Sequence, residues 1–188
     1  MSSKSVTQAD VFPDSLPRPS TLVELLRWRA ARQADRVAYT FLVDGEAQEA
    51  KLTYGELDQQ ARAIGAALQA VLTRGDRVLL IYPPGLEYIA AFFGCLYAGA
   101  IAVPAYPPRF NRNLLRLQSL VADAGAVVGM TTAPLLSRMS NFFNENPELE
   151  ALRWLTSESV TTGIAERWQE PALSDKDIAF LQYTSGST

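Results

Sequence analysis

The side chains best suited to hold an anion fall together near residue 184. Thr184, Ser185, Gly186, Ser187 and Thr188 are consecutive, four hydroxyls and a glycine. Hydroxyls and backbone N–H groups donate hydrogen bonds to an anion, and a glycine lets the backbone approach it closely. Phosphate is the obvious ligand for such a loop. G-x-x-x-x-G-K-[ST] occurs nowhere in the chain, so the loop is not a Walker A sequence. A polar surface loop has the same composition, and both readings stand on these residues alone.

Other candidates are more isolated. Arg109, at the end of the Pro-rich run 104–109, is a candidate contact for an anion or carboxylate, or a solvated arginine. Tyr106 could pack over a ligand, although a structural aromatic in a Pro-rich turn is the simpler reading. Cys95 lies among Phe92, Phe93 and Leu96 with no basic neighbour, which predicts a buried, inert thiol. Asp175 and Asp177 read as a polar turn. No residues have metal-ligand spacing, and the chain has no histidine, so histidine base chemistry is excluded from these residues.

The elements that must position the loop follow from periodicity. An apolar run from Ile178 predicts a buried strand over 178–183, ending where the hydroxyl cluster begins. Before it, Thr21–Glu24 and Thr53–Glu56 have capping-box spacing. The first opens a helix with Leu22, Leu25, Leu26 and Ala30 on one face. The second opens a helix carrying Leu57, Ala61, Ile64 and Leu68, ended by Gly75. Between them, strands over 37–43 and 46–52 flank Asp44-Gly45, a two-residue hairpin signal. Strands over 77–82, 101–103, 126–131 and 152–155 then alternate with helices over 86–98 and 113–124, and with one that starts at Pro134. Residues 157–173 are weakly patterned, with one helical turn near 164–168. This alternation predicts an α/β fold with a mostly parallel sheet flanked by helices and an N-terminal hairpin. In such sheets ligands sit beyond the carboxyl ends of the strands, where the hydroxyl loop falls.

Composition sets limits. The chain has 188 residues, 48% of them apolar and 20% charged, which suits one globular unit with a core. The net charge of −3, without a Lys/Arg block, argues against a nucleic-acid partner. The uncharged stretch 88–108 is long enough to span a bilayer, but Gly99 and Pro104, Pro107 and Pro108 break it, so no transmembrane segment is expected. One cysteine and no signal peptide fit a cytoplasmic location. Residues 1–20, with Pro13, Pro17 and Pro19, read as a flexible lead-in, and 21–188 as the folded unit.

Three stretches together, Leu80–Glu87 (LIYPPGLE), Ala98–Arg109 (AGAIAVPAYPPR) and Ala179–Thr188 (AFLQYTSGST), resemble the fatty acyl-AMP ligases of the adenylate-forming superfamily. The likeness runs from about Thr21 to the end, and Leu52–Leu57 (LTYGEL) resembles a helix-opening motif shared across that superfamily. The resemblance implies an enzyme that joins a fatty acid to ATP with Mg2+, releases pyrophosphate and passes the acyl group to an acyl carrier protein. It implies that Thr184, Ser185, Gly186, Ser187 and Thr188 hold the β- and γ-phosphates, and that Thr184 contacts the magnesium ion. In the family the loop continues into Gly-x-Pro-Lys-Gly. The nucleotide contacts, the acyl tunnel and the catalytic lysine also follow it, so the chain reads as an N-terminal subdomain cut within the phosphate loop and inactive alone. An acyl-CoA synthetase, a peptide-synthetase adenylation domain, a separate α/β phosphate-binding module and a non-catalytic interaction domain remain alternatives.

Overall fold

A computed structural model of the chain describes residues 18–108 and 115–184. The element order is α1 (Leu22–Gln33), β1 (Val37–Leu42), β2 (Glu49–Thr53), α2 (Tyr54–Gln69), β3 (Arg77–Ile81), α3 (Leu86–Ala98), β4 (Ile101–Ala105), α4 (Leu115–Ala124), β5 (Ala126–Thr131), α5 (Ala133–Ser140), α6 (Pro147–Glu150) and β6 (Arg153–Thr156). Strands β3 to β6 form a parallel sheet of order β4-β3-β5-β6, and β1 and β2 pair antiparallel as a separate hairpin. The α/β expectation is therefore met.

The sheet is covered on both faces. Val78, Leu80 and Tyr82 point with Ala102, Val128 and Met130 into a core shared with α1, α2 and α3. Leu79 and Ile81 point with Val103 the other way, into a core shared with α4, α5 and α6. Alternate side chains thus reach opposite faces, which is why β3 reads as an unbroken apolar run. Helices α2 and α3 pack closely because Gly94 of α3 faces Ile64 of α2. Gly99 ends α3 in the left-handed region at φ 73°, where glycine is favoured, and the chain turns directly into β4. The uncharged stretch is therefore a helix, a turn and a strand.

Several local expectations need correction. In α1, Val23 and Leu26 are buried while Leu22 is exposed, so the inward stripe begins one residue later. Thr21 accepts the Glu24 N–H at 3.1 Å, but the Glu24 carboxylate returns to the Ser20 N–H at 2.6 Å, so the reciprocal bond skips Thr21. The second box is complete: the Thr53 N–H reaches Glu56 Oε2 at 2.9 Å, and the Glu56 N–H reaches Thr53 Oγ1 at 3.2 Å. The hairpin does not turn on two residues. Val43 bonds to Gln48 across a four-residue loop, in which Asp44 Oδ1 accepts N–H bonds from Glu46, Ala47 and Gln48. One carboxylate satisfying three donors favours this wider loop. Helix α2 stops at Gln69, and Gly75 instead shapes the turn into β3.

The largest departure is residues 178–183. They run parallel to β4 but pair with it through a single bridge, Ala102 to Phe180. Ile178 and Phe180 are 59% and 44% exposed, so this is a poorly paired edge segment and not a buried strand. Strand β4 supplies the reason. Ala102 donates its N–H to the Ala179 carbonyl at 3.1 Å and accepts the Leu181 N–H at 2.8 Å. The next residue of β4 facing the same way is Pro104, which has no N–H to donate, so the ladder ends there.

Candidate functional site

The carboxyl ends of β3, β4, β5 and β6 lie together at one edge of the parallel sheet. The segment 178–184 enters that edge alongside β4. Phe180 is bridged to Ala102 of β4, and four residues later comes Thr184. It is exposed. Ser185, Gly186, Ser187 and Thr188, the remaining candidate phosphate contacts, lie outside the described residues, as do Arg109 and most of the lead-in.

Side chains help to hold residues 180–183. Phe180 packs edge-on against Phe92 of α3, ring centres 5.6 Å apart. Leu181 and Tyr183 pack against the core under α4. The Tyr183 hydroxyl donates to Asp123 Oδ2 at 2.5 Å, and that bond raises the phenol pKa above its ordinary value. Upstream, the strap 160–177 is stitched to the helical layer. The Gln69 amide exchanges two hydrogen bonds with the backbone of Gln169, at 2.6 and 3.1 Å. Trp168 Nε1 donates to the Tyr97 carbonyl at 2.7 Å, and Arg74 pairs with Asp177 at 2.5 Å.

Neighbouring loops at the same edge are anchored too. The Tyr82 hydroxyl and Ser157 Oγ lie 3.0 Å apart, linking the ends of β3 and β6. Burial of that ring raises its pKa, so it is a neutral hydrogen-bonding group at physiological pH. The Glu158 carboxylate accepts the Ala133 N–H at 2.8 Å and so caps α5.

The other candidates separate from this edge or change meaning. Tyr106 lies at the edge but is 94% exposed, so it is not the packed structural aromatic expected of a Pro-rich turn. Cys95 is fully buried and burial pushes its thiol pKa up, which leaves it protonated and inert as expected. Asp177 closes a turn by accepting the N–H and hydroxyl of Ser174, so the polar-turn reading of this pair holds for it. Among the described residues, no three His, Cys, Asp or Glu side chains converge as a metal site. Asp123, Gln69, Ser157 and Glu158 were not identifiable as partners beforehand. Each acts on a residue between 25 and 100 positions away, and no local spacing marks such a pair.

Comparison with known proteins locates this arrangement. Residues 26–188 match the AMP-binding enzyme family. Over 178 residues the chain is 44% identical to the medium-chain-fatty-acid–[acyl-carrier-protein] ligase JamA of Moorena producens, covering 93% of this chain and 30% of that protein. It is 35% identical over 181 residues to the long-chain-fatty-acid–AMP ligase FadD32 of Mycolicibacterium smegmatis, covering 94% of this chain and 28% of that protein. The crystal structure of a fatty acyl-adenylate ligase from L. pneumophila, in complex with acyl adenylate and pyrophosphate, superposes with a TM-score of 0.81 at 40% identity. That match covers 91% of this chain and 29% of the Legionella one. The chain thus spans about three-tenths of the length of the relatives it matches. A four-stranded parallel sheet flanked by helices, a family match over residues 26–188 and a ligase relative 44% identical over 178 residues agree: this chain belongs to the AMP-binding enzyme family.

Proposed function

We propose that these residues are the N-terminal subdomain of a fatty acyl-AMP ligase, with residues 21–188 its folded part. In the proposed reaction a fatty-acid carboxylate oxygen attacks the α-phosphorus of ATP. The bond from that phosphorus to the bridging oxygen breaks, pyrophosphate leaves and acyl-AMP forms. The thiol of an acyl carrier protein then attacks the acyl carbonyl, the bond from that carbon to the phosphate oxygen breaks, AMP and the thiol proton leave, and a thioester forms. The observation that carries the reading is the joint sequence and structural likeness to a ligase holding acyl adenylate and pyrophosphate. The name of the Moorena relative, an acyl-carrier-protein ligase, supports the acceptor.

In this reading Thr184, Ser185, Gly186, Ser187 and Thr188 cradle the β- and γ-phosphates. The loop's part is positioning and stabilising charge on the departing pyrophosphate. Thr184 also contributes to Mg2+. A single exposed hydroxyl fits a magnesium ion that takes most of its ligands from phosphate oxygens and water, which is the usual habit of Mg2+. A cytoplasmic setting fits the lone, buried, unbridged Cys95. Among the described residues no helix is long and apolar enough to cross a membrane.

The test is fatty-acid-dependent exchange of labelled pyrophosphate into ATP, measured on the full reading frame that carries these residues. We expect exchange that requires both fatty acid and magnesium, and that falls about tenfold or more in Thr184→Ala and Ser185→Ala. Exchange that ignores fatty acid would overturn the reading. Faster acyl transfer to coenzyme A than to a carrier protein would move the enzyme to the acyl-CoA synthetases.

A further inference from the structure

We propose that a groove at the amino ends of β3 and β4 is a second binding site, for a single-chain fatty carboxylate, at the end of the sheet opposite the carboxyl edge. The groove encloses about 620 Å3, within the span of about 300–1,000 Å3 usual for small-molecule sites. Arg74 and Gly75, just before β3, and Gly99 and Ala100, just before β4, place it at that end. The first turn of α1 and the strap residues 173–179 form its other walls. The groove's own lining carries this assignment, which does not require the reaction proposed above.

The lining selects an alkyl chain. Val23, Leu96 and Ala100 are buried beside the groove, while Leu22 and Ile178 line it at 42% and 59% exposed. None of its described lining residues is aromatic, so it offers an aliphatic surface and no ring on which a planar ligand could stack. Covering exposed aliphatic side chains with methylenes is favourable. The rim selects the head group. Asp177 is committed to Arg74 and to the N–H and hydroxyl of Ser174. Lys176 and Asp175, both exposed, form no ion pair among the described residues and so are open to a ligand. The ammonium suits a carboxylate on an alkyl chain, and Asp175 opposes it. The first turn of α1 tips this balance toward an anion, because its own acid, Glu24, is spent on the N–H and hydroxyl of Ser20.

The experiment photolabels the full reading frame with a decanoic acid that carries a diazirine on its chain, below its micellar concentration, and maps the labelled peptides by mass spectrometry. We expect labels within 20–23, 96–101 and 173–179, and slower amide hydrogen exchange over 173–179 when decanoate is bound. Lys176→Gln should weaken labelling of these segments about two- to fivefold, and Asp175→Asn should strengthen it by a similar factor, as single exposed charges do. Both side chains are exposed, so neither change threatens the fold. Decanol should compete about two- to fivefold more weakly than decanoate. Absence of label from all three segments, labelling indifferent to both charge variants, or equal competition by decanol would overturn the site. If pyrophosphate exchange shows no dependence on fatty acid, the function proposed above fails, and the labelling still decides the groove.

Discussion

Gly94 offers the sharpest test of how the helical layer is built. A Cβ placed on Gly94 would stand 2.3 Å from Ile64 Cγ2 and 2.5 Å from Ile64 Cβ, whereas ordinary contacts begin near 3.4 Å. Rotating Ile64 moves Cγ2 but not Cβ, so no rotamer removes the clash. Helices α2 and α3 must therefore separate by about an ångström, from 2.5 toward 3.4 Å. That separation loosens contacts of Leu57, Ala61, Leu68, Ala91 and Cys95, all fully buried. Overpacking of this kind costs about 1–3 kcal/mol, and rigid helix backbones on both sides put Gly94→Ala at the upper end. Alanine's better helix propensity returns about 1 kcal/mol. The net expectation is a loss of about 2 kcal/mol, or about 4–8 °C in Tm for a chain of this length.

The assay is urea unfolding with calorimetry on the isolated chain. Gly163→Ala is the control, since a Cβ there meets nothing within 4 Å. It should stay within about 0.5 kcal/mol of wild type, as surface changes do. Adding Ile64→Ala to Gly94→Ala should cost less than the sum of the two single losses, because the second change trims the clashing side chain. If Gly94→Ala matches the Gly163→Ala control in stability, the close approach of α2 and α3 is wrong.

Two further outcomes follow from named groups. Cys95 should resist thiol-specific disulfide reagents in the folded chain at pH 8 and react fully in denaturant, because burial both covers the sulfur and keeps it protonated; labelling of the native chain at a free-thiol rate would contradict this. Asp177 titrates at about 2, held down by Arg74 first and then by the Ser174 N–H and hydroxyl, against an ordinary 3.8. A depressed carboxyl stabilises the fold above its unfolded pKa and loses that contribution as pH falls through its folded value, so the stability gap between wild type and Asp177→Asn should hold from neutral pH to about 4 and close between about 4 and about 2. A gap that closes near neutrality would assign the stabilisation to another group.

Much of the architecture was legible because its causes are local. Capping spacing, the 3.6-residue stripe of Leu57, Ala61, Ile64 and Leu68, and the apolar run of β3 act within a few residues, and the structure places each element where those patterns put it. The parallel sheet followed from the same reasoning, through the alternation of strands and helices. Sequence alone also marked the break at Gly99 and the inert Cys95. It could not decide the hairpin loop, where one Asp44 oxygen collects three N–H donors and widens the turn. Nor could it decide the fate of residues 178–183. Their periodicity is that of a buried strand, but whether a ladder forms depends on which residue of the neighbouring strand faces them, and that residue is Pro104. The partners that hold the loop root, Asp123 for Tyr183 at 60 positions and Gln69 for Gln169 at 100, come together only when the helices cross back over the sheet. Sequence therefore determined the helices, most of the strands and the parallel sense of the sheet. Tertiary packing alone decided what anchors residues 178–183, because those bonds depend on crossovers that no local pattern records.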